Sequence, residues 1–264
     1  MQIVRCRHVE EVMGTAFTVD AVFSDRSEED GLHDVVTACQ MLHEVDRVFS
    51  TWRSDTPVSR LRRGELTEED LPPEVVSVLA SCTHAHELSG GWFDPWAAPG
   101  GVDPTGYVKG WAGQLVLDAL RSEGAAAALV NAAGDVAGFG GPEPGRPWLL
   151  GLTDPFAPTE LLGAVPVADN ALAVSGTYER GEHIYGQGGA PADAGVVSAA
   201  VLGPDLGLAD ALATALVAGG QEALDHVAED PDHQAMVIFR DGRWASTDAF
   251  PLRPMPAAQP VRAS

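Results

Sequence analysis

Helical and strand-like blocks follow one another along this 264-residue chain without a regular strand–helix–strand repeat, and that order constrains the fold more than any other feature. From Asp30 to Phe49 the apolar residues Leu32, Val35, Val36, Cys39, Leu42, Val45 and Phe49 recur at helical spacing, with Ser27 or Asp30 placed to cap the start. Pro73 is a natural first-turn residue, so a second helix is expected from there to about Leu88. A third is expected from Tyr107 to Glu123, stopped by Gly124, and a fourth from Leu208 to Ala218 ahead of Gly219-Gly220. Strands are expected at 12–23 behind a glycine turn, at 126–134, and at Trp148–Leu152, Leu172–Ser175, Val196–Leu202 and Ala235–Arg240. Asp241-Gly242 then makes a hairpin turn into Arg243–Ser246. Ser50–Glu69 reads as a polar connection and Gly90–Gly106 as a loop, because glycine, proline, tryptophan and aspartate crowd together there. No internal repeat or linker divides the chain. The expectation is an α+β (mixed α/β) fold of mostly antiparallel or mixed sheets packed with helices. It forms one compact unit over residues 1–250, with a Pro-rich, extended or disordered tail over 251–264.

Charge narrows the function. Asp and Glu number 38 against 16 Lys and Arg, a formal net charge of −22. Such a field repels phosphate backbones and anionic lipid surfaces, so no nucleic-acid partner is expected. It also repels a dinucleotide diphosphate, and an anionic ligand of that kind calls for a divalent cation to screen it. The acidity serves solubility as well. Cys6, Cys39 and Cys82 lack metal-ligand spacing, and the latter two fall at apolar helix positions that suit core packing. The first eight residues lack the apolar stretch of a secretion signal, and no window is long and apolar enough to span a bilayer. A cytoplasmic protein is the expectation.

Three segments carry possible chemistry. In Ala209–Thr214, Asp210 and Thr214 lie four apart on a helix and share a face, offering a carboxylate and a hydroxyl suited to magnesium or calcium. Spacing alone equally allows Asp210 to favour the helix start and Thr214 to pack. In Val102–Ala112, a Gly- and Pro-rich turn feeding a helix presents backbone N–H groups that favour a phosphate. Lys109 adds a cation there, and Trp111 a stacking or packing surface. No Walker or GxGxxG spacing is present. His183 sits in the polar, glycine-punctuated run Gly176–Ile184, a place for a general base or for an ordinary surface histidine.

Taken in order, these segments resemble the FAD:protein FMN transferases, the ApbE-like flavin transferases. The resemblance runs from about Val12 to Gly220. It is carried by Met13-Gly14-Thr15, by Phe49-Ser50-Thr51-Trp52 with Ser59-Arg60-Leu61, and by Gly90-Gly91-Trp92-Phe93-Asp94-Pro95. Val102–Ala112, Val130–Asp135, Ser175–Arg180, His183-Ile184 and Ala209–Thr214 complete it. The resemblance implies FAD as substrate, seated between the strand bearing Met13, the loop bearing Trp52 and the Trp92-Phe93-Asp94 turn. Thr105, Trp111 and Tyr185 match further flavin-contact positions. It implies Mg²⁺ held by the Asp210 carboxylate, the Thr214 hydroxyl and the backbone carbonyls of Val108 and Ala213. It makes His183 the base that deprotonates a Thr or Ser hydroxyl of an acceptor protein, which attacks the FMN-side phosphorus and releases AMP.

One stretch departs from the family pattern. Where relatives carry Ile-Asp-Pro-Arg-Thr-Gly after the histidine, this chain has Ile184-Tyr185-Gly186-Gln187-Gly188-Gly189-Ala190-Pro191. Beside the transferase stand two alternatives, an FAD pyrophosphatase forming FMN and AMP and a non-catalytic FAD-binding member. The strand end Asn131–Asp135 also has alanines where a glycine-rich turn is usual.

Overall fold

The computed structural model describes residues 3–176 and 194–254. It opens with a hairpin, β1 (Ile3–Val12) against β2 (Thr15–Ser24), paired from Ile3↔Ser24 to Val12↔Thr15. Met13 and Gly14 join them with φ of 56° and 70°. Two consecutive left-handed residues give the turn whose twist matches right-twisted strands. β1 lies outside the expected strands, although Val4, Cys6 and Val12 face inward while Arg5, Arg7 and Glu11 face out.

The helices keep most of their expected limits. In α1 (Glu28–Phe49) the Ser27 hydroxyl accepts the Asp30 N–H at 3.1 Å, and Val35, Cys39, Leu42, Val45 and Phe49 are buried. Leu32 is exposed, at the edge of the apolar stripe. The segment expected to be a plain connection holds a short helix, α2 (Pro57–Arg62), capped by Thr56, whose hydroxyl accepts the Ser59 N–H at 3.0 Å. α3 (Pro73–Leu88) starts at its proline. It ends with Gly91 N–H bonded to the His86 carbonyl and Gly90 N–H to that of Glu87. α4 (Thr105–Ser122) ends the same way, Ala125 reaching Leu120 and Gly124 reaching Arg121. Paired bonds of this kind satisfy the last carbonyls of a helix and reverse the chain. α5 (Leu206–Val227) breaks at Gly220, with φ 58° and ψ −126°, then resumes. The expected stop is therefore a kink.

The remaining strands are β3 (Ala127–Ala132), β4 (Asp135–Phe139), β5 (Trp148–Asp154), β6 (Ala157–Val167), β7 (Asn170–Gly176), β8 (Val196–Gly203), β9 (Gln234–Phe239) and β10 (Trp244–Ser246). Eight form one sheet in the order β1-β2-β3-β4-β7-β8-β9-β10, with every pair antiparallel. β5 and β6 make a separate hairpin. Alternation along β9 shows how the layers stack. Ala235, Val237 and Phe239 join the main core under the helices, while Met236 and Ile238 join a second core with Leu152 and Val165 of the hairpin. The helices thus cover one face and the hairpin part of the other. Phe17, Phe23 and Phe49 are almost fully buried in the main core, where truncating a phenylalanine to alanine costs about 3–5 kcal/mol. Past Pro251 the chain does not simply leave the fold, because Arg253 pairs with Ala164 of β6 through bonds of 2.8 and 2.9 Å. No helix among the described residues is long and apolar enough to cross a membrane.

Candidate active site

The close approach of α4 and α5 builds the site. Gly110 makes it possible: a methyl group there would lie 2.7 Å from the Leu206 carbonyl carbon and 3.0 Å from Asp210 Cβ. With only hydrogen present, the Gly110 N–H donates to Asp210 Oδ2 at 3.2 Å. One turn earlier on α4, a methyl on Gly106 would lie 3.9 Å from Thr214 Oγ1. Asp210 and Thr214, one turn apart on α5, therefore face Gly110 and Gly106, one turn apart on α4. The shared face expected from their spacing is turned toward the loop–helix junction that carries Val108. Val108 and Ala213 are both buried.

Lys109 takes a different place from the one its charge suggested. Its ammonium contacts the carboxylates of both Asp135 and Asp210, the latter at 3.0 Å, with all three side chains largely buried. Asp135 is anchored in turn, its Oδ1 accepting the Val174 N–H at 2.8 Å. Among the described residues, one ammonium meets two carboxylates at the α4–α5 contact. A carboxylate, a hydroxyl and main-chain carbonyls are hard oxygen donors, a set that suits a magnesium-type cation rather than zinc. Asp135 was not singled out in the sequence. Its only signal there is its place at the end of the Val130–Asp135 segment.

The α4 N-terminus is less open to an anion than its composition implies. Asp103 Oδ1 already accepts the Thr105 N–H at 3.1 Å and the Thr105 hydroxyl at 2.7 Å, and the Tyr107 and Val108 N–H groups bond to the Pro104 carbonyl. Asp103 also meets Arg62 of α2 at 3.3 Å, while Arg62 donates to the carbonyls of Val102 and Pro99. The loop before α4 is thereby tied to α2.

The Gly90–Pro95 turn wedges against α5. The Trp92 ring lies over Gly219, where a methyl would come within 2.7 Å of it, and Gly90 packs on His226. Trp92 Nε1 is buried with no hydrogen-bond partner among the described residues. Phe93 is buried, its ring against Gly106 and its carbonyl bonded to His86 Nδ1 at 2.8 Å. Asp94 Oδ1 accepts the N–H groups of Trp96 and Ala97, which stiffens the turn.

The other expected contacts separate. Trp52 is 97% exposed. Its loop is clipped from behind, with the Thr56 and Ser59 hydroxyls donating to the Ser50 carbonyl and Arg63 to that of Ser54. An aromatic face is thus held in solvent by a stiff loop. Met13 is half-buried at the β1–β2 turn, and Thr105 is exposed at the first turn of α4. Trp111 packs, with its ring edge-on to Phe49 at 5.4 Å and its Cβ over Gly207 beside Tyr107. Burial, with Asp205 adding to it, pushes the Tyr107 hydroxyl up to about 12. His183 and Tyr185 lie outside the described residues.

Known proteins share this arrangement of elements. A flavin transferase ApbE from Vibrio cholerae superposes with a TM-score of 0.81 at 20% identity, covering 94% of this chain and 99% of that one. The apo flavinyl transferase ApbE of Pseudomonas stutzeri gives 0.79 at 23%, covering 95% and 96%. At such identities the likeness establishes the fold. Among curated relatives, the FAD:protein FMN transferase of Rhodobacter capsulatus is 34% identical over 149 residues, which is 53% of this chain and 28% of that protein. The one from Vibrio cholerae serotype O1 (strain ATCC 39541 / Classical Ogawa 395 / O395) is 32% identical over 165 residues, 57% and 49% respectively. The matched part spans about half of these relatives' length or less. The ApbE family model matches residues 13–101 and 97–239, which is most of the chain and includes every element of the α4–α5 site. This protein belongs to the ApbE family.

Proposed function

We propose that this protein is a magnesium-dependent flavin transferase that moves the FMN half of FAD onto a Thr or Ser hydroxyl of an acceptor protein, releasing AMP. The observation that carries the proposal is the pairing of Asp210 and Thr214 on α5 with Gly110 and Gly106 on α4, in a chain of this family. Asp210 and Thr214, with the Val108 and Ala213 carbonyls, would hold the metal. When bound, the cation supplies charge neutralisation at the diphosphate. Trp52 offers an exposed aromatic face for a flavin or adenine ring. His183 takes the proton from the acceptor hydroxyl as its oxygen attacks the FMN-side phosphorus, because a neutral hydroxyl is a weak nucleophile.

The test is to incubate the protein with FAD, Mg²⁺ and a flavin-acceptor domain, then read covalent FMN by in-gel fluorescence. Fluorescent acceptor supports the proposal. AMP released without acceptor labelling replaces it with an FAD pyrophosphatase, and FAD held for long incubation without AMP replaces it with a non-catalytic binder.

A further inference from the structure

The buried contact of one ammonium with two carboxylates goes beyond what metal ligation by Asp210 requires. Asp135 stands on β4 and binds a main-chain N–H of β7, so its position belongs to the sheet. Asp210 stands on α5, and its Oδ2 receives both Lys109 Nζ at 3.0 Å and the Gly110 N–H at 3.2 Å. Lys109 contacts both. Its positive charge is divided between a carboxylate that has no part in the ligand set and one that does.

Resting on the metal-binding reading above, we infer that Asp135 is a positioning residue that tunes the cation affinity of Asp210 by holding Lys109 partly away from it. With a carboxylate at position 135, Lys109 is shared with the sheet and leaves Asp210 more available to a divalent ion. With an uncharged amide there, Lys109 keeps Asp210 as its carboxylate among the described residues, pairs more closely with it and competes with the metal. Asn is a near-isostere that can still accept the Val174 N–H through its amide oxygen while turning an NH₂ toward the ammonium. Asp135→Asn therefore removes the charge with little change of shape.

The argument predicts opposite signs for two substitutions at one contact, which a merely structural role would not produce. The experiment measures Mn²⁺ affinity of the full chain by the EPR signal of free Mn²⁺, at a fixed excess of FAD, with metal-free melting by circular dichroism on each variant. Asp135→Asn is expected to weaken Mn²⁺ binding about 10- to 100-fold, the range seen when a partner of a ligand is removed. Lys109→Met tightens it, since the metal then replaces the lost positive charge. The double variant is expected to bind within about threefold of Lys109→Met rather than of the parent, because without the ammonium Asp135 has nothing to act through. Weakening by both single variants, or an unchanged affinity in Asp135→Asn, overturns the inference. If Asp135→Asn fails to fold, Lys109→Met decides alone: tighter binding supports the inference and weaker binding overturns it. Asp210→Ala separates the two levels. Mn²⁺ binding that survives it removes the metal reading itself, whereas loss there with no effect of Asp135→Asn removes only the role of Asp135.

Discussion

Replacing Gly110 by alanine sets two opposing effects against each other. In a helix interior the exchange is worth about 0.8–1.0 kcal/mol in favour of alanine. Against it stands the added methyl, 2.7 Å from the Leu206 carbonyl carbon and closer still to its oxygen. Ordinary carbon contacts begin near 3.4 Å, and a backbone carbonyl cannot rotate aside, so α4 and α5 must part locally by about 1 Å. Overpacking of this kind costs about 1–3 kcal/mol or more. The net expectation is a loss of about 1–2 kcal/mol. Gly113, one turn along the same helix, is the internal control. There a methyl meets the tip of Leu206 at 3.2 Å and Ala132 and Val130 side-chain carbons at 3.6 Å, so alanine collects most of the propensity gain. The two variants should differ by about 2 kcal/mol, or about 4–8 °C in thermal midpoint for a chain of this size. Gly110→Ala should also weaken Mg²⁺-dependent FAD binding, since parting the helices breaks the Gly110–Asp210 bond, while Gly113→Ala should not. If both melt within about 1 °C of each other, the helices do not meet as closely as described and the site argument built on Gly110 fails.

Asp210→Ala is expected to abolish the Mg²⁺ dependence of FAD binding, and a titration indistinguishable from the parent would remove Asp210 from the metal site. His183→Ala should leave FAD bound yet slow covalent transfer, and a fully active variant would take His183 out of the mechanism. Trp52→Ala should leave the melting point unchanged, because the side chain is 97% exposed, while raising the FAD dissociation constant about 2- to 12-fold if the ring stacks; unchanged affinity counts against stacking. Burial pushes the thiols of Cys39 and Cys82 from about 9 up to about 12. They should resist alkylation of the native protein at pH 8. Their raised values favour the fold fully below pH 9, where both states hold the proton. Between about pH 9 and pH 12 the unfolded chain releases it first, so stability should fall with rising pH in urea titrations, and Cys39→Ser and Cys82→Ser should flatten that fall.

Much of the fold was legible where a local signal coincided with burial. Ser27 capping α1, Pro73 opening α3 and the glycines closing α3 and α4 are all read from a few neighbouring residues. β6 was missed because Pro158 and Pro166 argue against a strand, yet a two-stranded hairpin leaves edges where a missing N–H costs nothing. β4 is five residues, all buried, too short for either periodicity to declare itself. α2 has a cap and a first-turn proline, but six residues give no stripe. Within the site, the shared face of Asp210 and Thr214 follows from helical spacing alone. The direction of Lys109 does not. Sequence supplies its charge, but the carboxylates that claim it come from β4 and α5, which only the folded chain brings together.

The bond from Asp135 to Val174 lies at a particular place in the sheet. β4 and β7 meet through three residue pairs, Val136↔Leu172, Ala137↔Ala171 and Gly138↔Asn170, and the β5–β6 hairpin lies between them in the chain. The Asp135 side chain supplies the next rung after the β4 backbone has turned away. Four strands that pair early in the chain and four that pair late are thus buttoned together beside the site, with Lys109 linking that button to α5. Ligation at Asp210 should then be felt as slower amide hydrogen exchange along β4 and β7, well before any change at the outer strands β1 and β10.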